Sequence, residues 1–115
     1  MEIRRLQPGK RMSEAVIHNG TVYLAGQVAA DSSQDVAGQT RQVLASIDTL
    51  LKEAGSDKTK ILSAKICLRD ISTFAEMNSV WDQWVPAGHT PARATIEARL
   101  AAQQYLVEII VVAAV

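Results

Sequence analysis

The sequence predicts an α+β protein: one mixed β-sheet with two helices packed on one face. Two stretches space their apolar residues three and four apart, as an amphipathic helix does, and several short stretches alternate or run apolar as strands do. No linker, repeat or low-complexity tract divides the 115 residues, so residues 1–115 are expected to form a single domain around one core.

From Ala15 to Ala25, AVIH and TVYLA flank Asn19-Gly20, a dipeptide suited to the positive φ angles of a tight hairpin turn, and two antiparallel strands are expected there. A short leading strand is placed at Ile3 to Leu6. After the polar DSSQD loop, Asp35 is a candidate N-cap for a helix from Val36 to Ala54. Its apolar stripe is Val36, Val43, Leu44, Ile47, Leu50 and Leu51, and Gly55 ends it.

Ile61 to Leu68 alternates as a strand. Ser72 is a candidate N-cap for a second helix whose stripe is Phe74, Met77, Trp81 and Trp84, ended by Pro86 and Gly88. The two tryptophans are read as helix-to-sheet packing rather than a stacking platform for a ligand. Two further strands follow, Ala94 to Leu100 and Tyr105 to Ala113, expected to pair with each other across a short loop. The last, VEIIVVAAV, is apolar on both faces, whereas two helices cover one face only. Self-association is the natural source of the missing cover.

Composition narrows the function classes. Twelve Lys plus Arg balance twelve Asp plus Glu, so no long-range field gathers nucleic acid or anionic lipid. Arg4, Arg5, Lys10 and Arg11 form the best candidate basic patch. Lacking interleaved aromatics, it reads as solvated surface, and a nucleic-acid partner is not expected. No apolar stretch is long enough to span a membrane, and the polar start has no signal-peptide centre; a cytoplasmic protein without membrane partners is expected. Cys67, the only cysteine, excludes an internal disulfide and reads as a structural thiol in an apolar strand.

Phosphate loops, paired-cysteine zinc motifs and nucleophile elbows are absent from the sequence. His18 and His89 make no convincing metal set, so neither metal nor organic cofactor is expected. Glu108 stands out as the only charge between Tyr105 and the C-terminus. A carboxylate there needs donors, a cation or a wet cleft, which leaves two readings open: a structural ion pair or water-facing edge, or a catalytic carboxylate in an intersubunit cleft. Arg93, just after Thr90-Pro91, is a candidate for binding a small carboxylate through two parallel hydrogen bonds. Thr95 and Gly26 are candidate pocket residues, Thr95 through its hydroxyl or backbone and Gly26 by admitting close approach of a ligand; the alternatives are an ordinary β-branched strand residue and a bend at a strand end.

Five stretches in order resemble the RidA (YjgF) family of reactive-intermediate deaminases: SEAVIHNGTVYLAGQVA, QTRQVLASIDTLLKEAGS, ILSAKICLRDISTFAEMNSVWDQW, HTPARATIEARL and VEIIVVAAV. The resemblance implies a chorismate mutase-like homotrimer with clefts between subunits. It also implies hydrolysis of small 2-imino or enamine acids to 2-oxo acids and ammonia without a cofactor. In that family the Arg of the Pro-x-Arg element holds the substrate carboxylate and a Glu on the last strand directs water, which match Arg93 and Glu108.

Two positions depart from the family pattern. Met12 stands where the family commonly has Tyr, and Ala25 replaces the Ser of a Ser-Gly-Gln element, removing two polar groups from the expected cleft. Met12 is kept as a cleft position; Asn78 and His89 are assigned local structural roles outside the catalytic set. The competing function is a non-enzymatic trimer that binds or senses small carboxylates. Ribonuclease activity, a label carried by some relatives, is opposed by the neutral charge and the lack of a histidine constellation.

Overall fold

A computed structural model describes residues 2–115. Eight main elements follow in order: β1 (Arg4–Pro8), β2 (Ser13–His18), β3 (Thr21–Leu24), α1 (Val36–Glu53), β4 (Ile61–Leu68), α2 (Phe74–Trp84), β5 (Ala92–Glu97) and β6 (Val107–Ala114). The strands make one six-stranded sheet in the order β1-β2-β3-β6-β4-β5. All neighbours are antiparallel except β4 and β5, which run parallel because α2 carries the chain between them.

The local signals explain most of these elements. Asn19 and Gly20 take φ of 55° and 80° and close the β2-β3 hairpin. Asp35 accepts the Gly38 N–H at 2.8 Å, capping α1, and Gly55 at φ 84° lets the chain leave the helix. The second helix starts differently from the sequence expectation. Ser72 is not its N-cap; Asp70 instead accepts the Ser72 N–H at 2.9 Å, shaping a short 3-10 turn (Ile71–Thr73) that leads into α2. Asp precedes a tight turn more effectively than Ser because its carboxylate accepts from the backbone two residues on.

Both helices lie on one face of the sheet. Ala15, Ile17, Val22, Leu24, Ala64, Ile66, Val107, Ile109, Val111 and Ala113 face them and form one core with Val43, Leu44, Ile47, Leu51, Met77 and Trp81. Phe74, expected in that stripe, is 41% exposed instead. The other face is bare: Tyr23 is 51% and Ile96 40% exposed, beside Val16, Ile110 and Val112. The molecule is correspondingly thin, 43 × 37 × 20 Å, the short axis accommodating one sheet and one layer of helices. The charged residues Arg4 and Arg5 lie on the edge strand β1, where charge discourages edge-to-edge pairing.

The buried side chain of Gln39 ties the loops to this frame. Its amide nitrogen, with two N–H donors, one of them shared, faces the carbonyls of Ser32, Gln34 and Gln104 at 3.2, 3.1 and 3.0 Å, and its oxygen accepts the Leu106 N–H at 3.0 Å. The loop before α1 and the loop that launches β6 are thereby held to one helical residue. Gln39→Leu keeps the volume but strands these backbone groups, and we expect it to lower unfolding free energy by about 2–4 kcal/mol, measured by urea titration.

Candidate functional site

Alternation along the strands decides where each candidate side chain points. In β6, Val107, Ile109 and Val111 face the helices, so Glu108, Ile110 and Val112 face the bare side. Glu108 lies opposite Cys67, which in turn lies opposite Ile96, forming one row across that bare face. Burial, followed by the nearby Glu108 carboxylate, pushes the Cys67 thiol above its ordinary pKa. It therefore stays protonated near neutrality, consistent with a structural rather than a nucleophilic role.

Gly26 makes room for Glu108. A Cβ built on Gly26 would collide with the carboxylate, coming within 2.9 Å of Cδ and 3.2 Å of Cγ. The close approach that glycine permits here is by the protein's own carboxylate. The next residue, Gln27, exchanges both backbone hydrogen bonds with Ile109, at 3.0 and 3.1 Å, which fixes this segment against β6 beside Glu108. Ala25 donates its N–H to the Glu14 carbonyl at 2.9 Å, continuing the β2-β3 pairing toward the same end. Met12 lies in the turn between β1 and β2, half exposed at 52%, with its carbonyl accepting the Gly9 N–H at 2.7 Å.

Arg93 lies elsewhere. The sequence pattern places it just before a strand from Ala94 to Leu100 that pairs with the Glu108 strand; the structure corrects both points. The strand begins at Ala92, because six consecutive residues pair with β4, and β4 separates β5 from β6. Arg93 is in register with Ala64, a core-facing residue, and its guanidinium reaches toward α2. Its Nη1 donates to Asn78 Oδ1 at 2.7 Å, and the group lies over the Trp81 and Phe74 rings, 5.3 and 5.7 Å from their centroids.

Asn78, assigned a local role from sequence, is thus the residue that orients Arg93. The signal that could have found it was its position one turn after Phe74 and three residues before Trp81, on a face left partly open. Thr95, two residues beyond Arg93 on the same side, has a buried hydroxyl with no hydrogen-bond partner, an unused capacity of the kind a ligand or an ordered water satisfies.

The candidate residues therefore fall into two groups within the chain. Arg93, Asn78 and Thr95 are on the helix face near one edge of the sheet; Glu108 and Gly26 are on the bare face toward its middle. The two candidate catalytic residues are not brought together within a single chain.

The family model for endoribonuclease L-PSP matches residues 2–115. The chain belongs to the RidA/YjgF family. A YjgF-family protein from Neisseria meningitidis has the same fold, with a TM-score of 0.97 and 51% identity over 99% of this chain and 95% of that one. The RutC family protein YoaB of Escherichia coli is 47% identical over 115 residues, covering 100% of each chain. A bovine RidA/YjgF relative named 2-iminobutanoate/2-iminopropanoate deaminase is 34% identical over 91 residues, 74% of this chain and 66% of that protein.

Two expected outcomes test this geometry. Gly26→Ala should retain the fold at a cost of about 1–3 kcal/mol while displacing the Glu108 side chain, visible as a changed rotamer in a crystal structure. Native Cys67 should react with iodoacetamide at pH 8 at least about tenfold more slowly than in urea, since burial withholds both access and the thiolate.

Proposed function

We propose that the protein hydrolyses small 2-imino or enamine acids to 2-oxo acids and ammonia, at clefts where Arg93 of one copy meets Glu108 of another. The observation that carries this reading is the separation of the two groups onto opposite faces, combined with a bare apolar sheet face that a second copy would cover. A cyclic trimer, as the family resemblance implies, supplies one cleft per pair of neighbours. The deaminase name of the bovine relative supports the reaction class.

In this reading Arg93 receives the substrate carboxylate, its guanidinium already held by Asn78 and flanked by Trp81, so little side-chain freedom is lost on binding. Glu108 accepts a proton from water as the oxygen adds to the imine carbon. Glu108 returns that proton to the nitrogen, and the tetrahedral adduct collapses as its hydroxyl proton passes, through Glu108, to the same nitrogen: the C–N bond breaks, ammonia leaves and the 2-oxo acid is released. An imine is already electrophilic, so orientation and one base are sufficient chemistry. With Met12 and Ala25 in place of a phenol and a hydroxyl, the cleft has fewer donors to hold polar substrate side chains, and apolar imino acids are its expected substrates.

The test is hydrolysis of 2-iminopropanoate and 2-iminobutanoate generated in situ. Arg93→Ala should weaken substrate capture by about 1.5–3 kcal/mol, and Glu108→Gln should abolish most turnover while keeping carboxylate binding. The shared cleft predicts complementation: at subsaturating substrate an equimolar co-refolded mixture of the two impaired variants regains about one quarter of wild-type activity, because a random trimer pairs an intact Arg93 with an intact Glu108 at one interface in four. No recovery would place both residues in one subunit's site, and a protein that binds 2-oxo acids without hydrolysing imines would be a carboxylate-binding trimer instead.

A further inference from the structure

We propose that Arg69 and Arg99 form a second ligand site, for a small monocarboxylate, at the C-terminal ends of β4 and β5. A cavity of about 310 Å³ opens there, lined by Arg69, Glu97, Ala98 and Arg99. Three of those four side chains are charged, an unusual concentration for a chain of balanced composition. Nothing in the imine chemistry above uses them.

The Glu97 carboxylate does not close the site. Its Oε2 accepts the Ile71 N–H at 3.0 Å, which turns it to the backbone entering α2. Arg69 meanwhile holds its Nη1 buried and without a hydrogen-bond partner. A guanidinium offers five donors in a rigid fork, and leaving one of them unmatched in the interior is costly unless a ligand or neighbour completes the set. The backbone around it is fixed: Arg69 donates its N–H to the Leu106 carbonyl at 3.0 Å, and Ala98 donates to Leu68 at 2.9 Å. The fork is therefore presented on a rigid frame.

Charge selects the ligand. Two guanidinium groups and one carboxylate leave the cavity with one net positive charge, which a singly charged anion neutralises and a phosphate dianion overshoots beside Glu97. A planar carboxylate also matches the fork, and the cavity has room for a ligand of a few carbons. Arg93, the second residue of β5, and Glu97, its last, are about 13 Å apart along the strand, so this site is separate from the one around Arg93. The inference does not depend on deaminase activity. If that reading also holds, its 2-oxo acid product belongs to the chemical class this cavity selects.

The test uses the intact protein carrying Arg93→Ala, which removes the other carboxylate site, with sodium pyruvate as the probe and arginine Nε–Hε resonances as the readout. Saturable shifts at Arg69 and Arg99 are expected, absent with the neutral methyl ester of pyruvate. Arg69→Gln, or Arg99→Gln at the exposed position should the first fail to fold, is expected to weaken the response at least about tenfold. Unmoved resonances overturn the proposal, the pair then being closed by water or by another copy of the chain. Equal shifts with sodium chloride at matched ionic strength also overturn it, since they report screening rather than a site.

Discussion

Strand β6 is bonded along both edges, to β3 and to β4, and its side chains alternate between a helix-covered face and a bare one. That period of two is a steric property of extended backbone, and a slip of one residue would send Val107, Ile109 and Val111 out of the core and Glu108 into it. Burying an unpaired carboxylate among aliphatic side chains is far more expensive than leaving it at a face that can be wet or partnered. The register of β6 is thus locked by its apolar residues, and the position of Glu108 follows from that lock.

The same constraint organises the residues around it. With Glu108 pointing to the bare face, the segment after β3 has to pass beneath its side chain, and only glycine at position 26 leaves the space. The loop that launches β6 has to arrive at a fixed height, which Gln39 secures by satisfying four backbone groups from two loops at once. A buried amide with all its bonds made is a rigid fixture; one with any of them missing is a liability, so such a node tolerates little change.

On the other side of β4, β5 is an edge strand with almost no core of its own. Arg93 there is steadied by an amide acceptor and two aromatic rings, contacts that restrain a charged side chain without neutralising it. The guanidinium is thereby oriented while the residue stays exposed at the edge of the sheet. The thinness of the molecule and the bare apolar face belong to the same economy of a short chain: with two helices only, one side of the sheet is left uncovered.

Much of this was written locally in the sequence. The Asn19-Gly20 turn, the stripe and caps of α1, the alternation of β4 and the isolation of Glu108 in an apolar strand all depend on neighbours within a few residues, where side-chain chemistry acts directly on backbone geometry. Strand order was not written there. Consecutive order along the chain favours pairing β5 with β6, yet the α2 crossover lets β5 pair in parallel with β4, and β6 takes the place between β3 and β4. Strand neighbours are chosen by the packing of whole layers, which no window of sequence contains. For the same reason the role of Asn78, fifteen residues from Arg93, emerged only from the folded chain. The sequence by itself determined the elements, their buried faces and which charges are out of place; the tertiary structure alone decided which of those charges share a face, because that depends on the order in which strands join and on the parity of each register.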